Sequence, residues 1–228
     1  MAHAVAPELL PFLRGSADER DGLMCVRIES GRRHPALDVL IDALGAASAR
    51  AQGLANPVTS ANKFRLSDDR LYLALHDPRR QASSPVDDGF HETEGSTQEI
   101  VGLLKVGEKD LFHWTRDGMI LELRRQRCVL DFYISECFQR QGLGRKLFEV
   151  MMAHEACSAS HMAYDRPSPK LLGFLRRHYS LTQYVPQQNQ FVVFDDLIAQ
   201  IPSPTRTPYA SVAMRPLTAR AAPPTVRP

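Results

Sequence analysis

The stretch Leu130 to Arg145, LDFYISECFQRQGLGR, leads from an apolar, aromatic run through Gln139, Arg140, Gln141, Gly142, Leu143 and Gly144 straight into a helical pattern. Two glycines let a backbone approach an anion closely, and the unpaired N–H groups at a helix start carry the positive end of its dipole. Arg140 and Arg145 add formal charge, so the chemistry suited to this turn is pyrophosphate binding. An ordinary strand-to-helix turn can also hold two glycines. A dinucleotide fingerprint would need a third glycine in a βαβ unit, whereas this motif comes late in the chain after an antiparallel run. Asp131, inside CVLDFYI, must be solvated, paired or functional, because an uncompensated buried carboxylate is prohibitive. It is expected to face a substrate groove. Cys128 opens the same run; a free cysteine there is commonly a small core residue, and its thiol becomes reactive only if its pKa falls. Asp165, just before Arg166 and Pro167, suits a turn, a cap or a catalytic carboxylate.

The elements that position these groups follow from periodicity. Leu23 to Ile28 reads as a first strand, and order is expected to begin near Gly22, leaving residues 1–21 a flexible N-terminus. Leu37, Leu40, Ile41, Leu44, Ala47 and Ala51 fall on one helical stripe between Pro35 and Gly53. Leu71 to Leu75 and Glu99 to Val106 read as strands on either side of residues 78–98, whose Pro, Ser, Gly and acidic composition predicts a mobile surface loop. Leu111 to Trp114, Met119 to Leu123 and Cys128 to Ile134 continue as an antiparallel meander, with a turn at Arg116, Asp117 and Gly118. A helix starts at Leu143, another runs from an N-cap at Ser168 to His178, and Phe191 to Phe194 is a final strand. After Ile201 come seven prolines, four arginines and no acid, a composition expected to leave a disordered basic tail over 201–228. The fold class is mixed α/β, one domain over residues 22–200.

Composition excludes more than it identifies. The 228 residues are 43% hydrophobic and 24% charged with a net charge of +2, typical of a globular chain and too mild for a nucleic-acid footprint. Four cysteines without CxxC spacing predict reduced thiols and neither disulfide nor metal site. No apolar run is long enough for a membrane span, and a soluble protein is expected.

The pattern Gln139 to Gly144, QRQGLG, resembles the acetyl-CoA pyrophosphate loop of the GNAT superfamily. CVLDFYI, YDRPSPKLLGFL at Tyr164 to Leu175, HYSL at His178 to Leu181, VPQQNQFVVF at Val185 to Phe194 and LGAASARAQGLANPVTSA at Leu44 to Ala61 are similar to α-tubulin N-acetyltransferases, so the likeness covers about residues 23 to 197. The resemblance implies a GNAT-type fold, a central, mostly antiparallel twisted sheet flanked by helices, and acetyl-CoA as co-substrate. It implies transfer to a lysine ε-amine of α-tubulin on the luminal side of microtubules, by direct attack in a ternary complex. It places Gln52, Cys128 and Asp165 at the catalytic centre, with Asp131 and Arg166 at the substrate groove. Phe132, Tyr133, Ile134, Gln139, Arg140, Gln141, Gly142, Leu143, Gly144, Arg145, Ser168, Lys170, Leu171, Phe174 and Arg177 would line the cofactor. Backbone N–H groups near Tyr133 and Ile134 would meet the thioester oxygen, and Asp165 or Cys128 would accept or help place the proton of the amine. α-Tubulin in microtubules is the implied partner, with no nucleic acid or membrane, a monomeric state, and the cytoplasm, cytoskeleton and ciliary or flagellar axoneme as location. Ser135 and Gly173 depart from the family pattern, where a histidine and a longer residue are common. A GNAT motif does not select the acceptor, so another protein lysine, a small amine, or a non-catalytic microtubule-associated role remain readings of the same sequence.

Overall fold

The structure, a computed structural model, describes residues 3–14, 17–20, 23–77, 98–201 and 206–208, and only the backbone at 14, 17–20 and 206–208. In chain order the elements are β1 (His3–Ala4), α1 (Leu10–Arg14), β2 (Ala17–Arg20), β3 (Leu23–Glu29), α2 (Pro35–Gln52), α3 (Ala61–Arg65), β4 (Arg70–His76), β5 (Glu99–Trp114), β6 (Met119–Ile134), α4 (Leu143–Glu155), β7 (Ala163–Asp165), α5 (Pro169–Tyr179), β8 (Phe191–Val193), α6 (Asp195–Ile198) and β9 (Arg206–Pro208). Strands β2 to β8 are neighbours in sequence order, while β1 pairs with the start of β5 and β9 with the start of β6. Among the described residues, only the β6–β7 pairing is parallel.

Period-two alternation sends side chains of each strand to two helical layers. On β4, Leu71, Leu73 and Leu75 join Leu37, Ile41 and Leu44 of α2 and Phe64 of α3. Tyr72 and Ala74 join Leu147, Phe148 and Met151 of α4 and Leu175 of α5 on the opposite face. A smaller cluster of Leu111, Leu121, Leu123, Cys128, Leu130, Ala163, Val193 and Leu197 lies where the far half of the β5–β6 hairpin meets β7, β8 and α6.

Helix α2 begins at Pro35, with the His34 ring accepting from Ala36 N, and ends at a left-handed Gly53. Helix α5 starts under Ser168, whose hydroxyl accepts from Leu171 N (3.2 Å), as the Ser-Pro pair predicts. At the far end of α4, Glu155 accepts from Arg70 (2.6 and 2.7 Å) and from the Tyr72 hydroxyl (2.7 Å), tying the helix to β4. Near the hairpin tip, Gln187 accepts from Trp114 N (2.8 Å) and donates to Trp114 O (2.9 Å), while Asn189 donates to Phe112 O (3.2 Å).

Three expectations change. The segment before Gly22 is not simply a flexible extension: Val5, Leu9 and Leu13 are buried against α2 and β3. Their four-residue spacing is helical, and Pro7 opens a 3-10 turn instead of excluding one. The meander is a single long hairpin of two 16-residue strands, because two irregularities in register let the ladder run on, the second of them accommodating the charged residues Asp110, Arg124 and Arg125 between its apolar runs. Within the stretch read as a disordered tail, Arg206–Pro208 pairs with Met119–Leu121. The remainder of that tail and residues 78–97 of the expected loop lie outside the described residues, while Gln98, the loop's last residue, is buried and donates to Asp77 (2.9 Å).

The N-terminal correction has a direct test. Leu13→Ala should lower unfolding free energy by about 2–5 kcal/mol in urea titration, as for other buried leucines, and a change under about 0.5 kcal/mol would return the segment to a dispensable extension.

Candidate functional site

The site is organised by an irregularity in β6. Lys105 lies opposite Asp131 and Val106 opposite Val129, so Leu130 is an extra residue on β6. Ser135 N donates to Val101 O (2.8 Å), and the antiparallel ladder then turns the peptide groups of Asp131 and Tyr133 toward β5 and those of Phe132 and Ile134 toward the opposite edge. Strand β7 pairs with Cys128 and Val129 alone, so Phe132 and Ile134 face no neighbouring strand among the described residues. Of the two peptides expected to meet an acyl oxygen, Ile134 N–H is therefore the one placed to do so. The Tyr133 side chain is buried on the α2 face, away from the glycine turn.

The glycine turn sits at that open edge. Gly142 caps α4 with φ 81°, a left-handed conformation that favours glycine, and among the described residues no side chain caps the helix, so its first N–H groups are unclaimed by a cap. Gly144 lies against Phe132 and Ile134, where an added Cβ would come within 3.3 and 3.4 Å. Gln139 donates to Ile134 O (2.8 Å) and Gln141 to Cys137 O (3.0 Å), which fix the turn from below and leave both amides spoken for. Arg140, with φ 63°, and Lys170 and Arg177 on α5 are exposed. Arg145 pairs with Glu149 (2.7 Å) in the first turns of α4, so its charge is shared. Leu143 is buried in the core, and Leu171 and Phe174 are half-buried, with Phe174 packed on Phe132 at a ring distance of 5.4 Å. An uncapped helix start beside an unpaired strand edge, walled by aromatic rings, suits an extended ligand that ends in a pyrophosphate.

On the other face of the sheet, Asp131 is 5% exposed and does not open onto a groove as expected. Its Oδ1 accepts from Ser48 Oγ (2.7 Å) and Gln52 Nε2 (3.1 Å), and its Oδ2 from Thr59 Oγ1 (2.6 Å). Lys105, opposite it on β5, donates to Val58 O (3.3 Å) and lies 3.7 Å from Asp69, which lies 3.7 Å from Lys109. Burial pushes the Lys105 ammonium below the ordinary lysine value against the pull of Asp69 and Asp131. Ser48, Thr59, Lys105 and Asp69 were not among the expected residues. A lysine within the apolar run EIVGLLKV was the available signal, the same signal that singled out Asp131.

Cys128 is fully buried and donates to Gln126 O (3.1 Å). Burial pushes its thiol up to about 12, against the charge and backbone N–H of Lys109, and with the Asp165 carboxylate adding to the rise. In this state the thiol is held in its neutral form near physiological pH, so of the two expected roles, proton acceptance and substrate positioning, burial favours the second. Ala163 lies opposite Cys128, so Asp165, two residues on, projects from the same face. Arg166 folds back onto it, with Nε to Oδ1 and Nη2 to Oδ2 each 3.0 Å, from a backbone at φ 43°. Cys128 and Asp165 are thus brought together, Gln52 is joined to Asp131, and the exposed Arg166 is paired with Asp165.

Comparisons with known proteins bear on this arrangement. The family model described as GNAT acetyltransferase, Mec-17, matches residues 19–212. A protein of Aedes aegypti named alpha-tubulin N-acetyltransferase is 41% identical over 160 residues, 70% of this chain and 53% of its own length. Alpha-tubulin N-acetyltransferase 1 of Danio rerio is 42% identical over 183 residues (77% and 57%), and an alpha-tubulin N-acetyltransferase of Phytophthora infestans is 38% identical over 186 residues (75% and 93%). The chain thus spans about half the length of the mosquito and fish relatives. The solved xEco2 acetyltransferase domain covers 85% of this chain and 96% of its own at 9% identity and a TM-score of 0.49, too distant a likeness to bear on the site.

The buried state of Cys128 predicts its reactivity. Native protein treated with iodoacetamide near neutral pH should be alkylated at exposed Cys137 and spared at Cys128 until unfolded, as mapped by peptide mass spectrometry. Equal labelling of both would contradict the raised thiol. The group's pKa rises on folding, so its stability contribution is intact below about pH 9 and drains away as pH climbs toward about 12. A Cys128→Ala protein should lack that part of the alkaline loss.

Proposed function

We propose that this chain, which belongs to the Mec-17 family of GNAT acetyltransferases, transfers the acetyl group of acetyl-CoA to a lysine ε-amine of α-tubulin. The observation that carries the reading is the uncapped start of α4 at Gly142 beside the strand edge at Phe132 and Ile134. That pairing offers N–H donors to a pyrophosphate and, a few residues away, strand-like hydrogen bonds to an amide-bearing arm. The names of the relatives support α-tubulin as acceptor.

When bound, acetyl-CoA supplies the activated acyl group. Leu143, Gly144 and Arg145 offer first-turn N–H groups to its phosphates, and Phe132, Phe174 and Leu171 supply apolar wall. The Ile134 N–H stabilises negative charge on the acyl oxygen as the amine attacks. A lysine amine must lose its proton before it attacks, since its ordinary pKa near 10.4 keeps it charged at neutral pH. Asp165 is the carboxylate on the Cys128 face, and it reaches that task by exchanging Arg166 for the incoming amine. A route through an acetylated Cys128 is disfavoured because a neutral, buried thiol is a poor nucleophile. The acceptor as assembled microtubules, approached from the lumen by a monomer in the cytoplasm or axoneme, is the finer form of this proposal.

The full chain incubated with acetyl-CoA and assembled microtubules should acetylate an α-tubulin lysine, located by mass spectrometry. Gly142→Val, which forces a branched side chain into φ 81°, should raise the KM for acetyl-CoA by about tenfold or more with the acceptor KM little changed. Transfer confined to other proteins, or bound acetyl-CoA without turnover, would overturn the assignment.

A further inference from the structure

Gln52 lies at the last turn of α2, half-buried, with its side-chain amide against two buried groups. Its Nε2 donates to Ser48 Oγ (2.8 Å) and to Asp131 Oδ1 (3.1 Å), and Ser48 Oγ donates its own proton to the same Oδ1 (2.7 Å). A carboxylate oxygen can only accept, so the NH2 end of the amide must be the end that faces Asp131. Both amide protons are thereby used, and Oε1 is left without a donor among the described hydrogen bonds. Thr59 holds the second Asp131 oxygen (2.6 Å), and its backbone is tucked so close to α2 that a Cβ on Gly45 would lie 1.9 Å from Thr59 O. The carboxylate therefore cannot turn without breaking three bonds that come from α2 and the loop behind it.

We infer that Asp131 is a positioning residue that sets the polarity of Gln52, so that Gln52 offers its carbonyl oxygen Oε1, and not its NH2, to the incoming acceptor. An oxygen acceptor recognises a group bearing N–H protons, so it holds a lysine amine and gives nothing to an acceptor that lacks a donor. The bond also orients the amine so that its lone pair is directed away from Oε1 and is free to attack. This assignment rests on the acetyltransferase reading above and deepens it.

Exchanging the two side chains tests it. In Gln52→Glu two carboxylates meet across Ser48, and in Asp131→Asn one acceptor becomes a donor, so each change undoes the fixed polarity. In Gln52→Glu/Asp131→Asn the asparagine NH2 donates to one glutamate oxygen and the other is again presented as an acceptor. Each single variant of the full chain should lose about tenfold or more in kcat/KM for microtubules with the KM for acetyl-CoA unchanged. The double variant should recover to within about threefold of the unaltered protein, a rescue that mere damage to packing would not produce. A double variant no better than the poorer single one, or an equal rise in both KM values, overturns the assignment.

The Gln52 side-chain amide resonances give a readout independent of turnover. Their solvent exchange should be slow in the unaltered protein and fast in Asp131→Asn, and identical behaviour in the two overturns the assignment. Should the unaltered protein transfer nothing to tubulin, the functional reading fails while these resonances still decide the orientation.

Discussion

One extra residue, Leu130, governs the centre of this molecule. It shifts the register of β6 against β5 so that Asp131 lies opposite Lys105 while Val129 lies opposite Val106. Beyond it, Tyr133 packs with α2 and Ile134 with α4, and the peptide groups of Phe132 and Ile134 are turned off the ladder. Strand β7 departs at the same place, pairing no further than Val129. A regular strand would have continued its parallel ladder there and closed the edge on which an extended ligand must lie.

The same residue determines what each face can do. The α4 face receives aromatic rings and an uncapped helix start, a setting for phosphate and apolar chain. The α2 face receives a layer of charge: Asp131, Lys105 and Asp69, all nearly buried, with hydroxyls and an amide from α2 and its loop answering them. Buried charge is expensive to maintain, and each of these groups is paired or hydrogen-bonded. Such a layer contributes definition more than net stability, because its members tolerate one arrangement and resist others.

Periodicity made α2, α4 and α5 legible, with their caps at Pro35, Gly53 and Ser168, and so did the glycine turn, since all depend on local spacing. The irregularity at Leu130 was not legible: CVLDFYI reads as an even strand, and the extra residue shows only against its partner. Asp131 stood out as a charge in an apolar run, but its partners Ser48 and Thr59 are 83 and 72 residues away in sequence. The thiol of Cys128 carried two readings because burial is a property of the packed sheet. The N-terminal segment was not legible because its few apolar residues, Val5, Leu9 and Leu13, lie among Pro7 and Pro11 and their burial depends on distant α2 and β3.

The amides of Gln187 and Asn189 also carry a consequence for the protein in company. The outer edge of β5 near Trp114 and Phe112 runs past β4, whose pairing ends at Val106, and would present bare peptide groups beside an exposed phenyl ring. Gln187 meets both groups of Trp114 as a strand residue would, and Asn189 takes the Phe112 carbonyl. Among the described residues, two side chains thus take the place of a strand on this edge, the kind of cover that guards a sheet against the edge-to-edge association open edges invite.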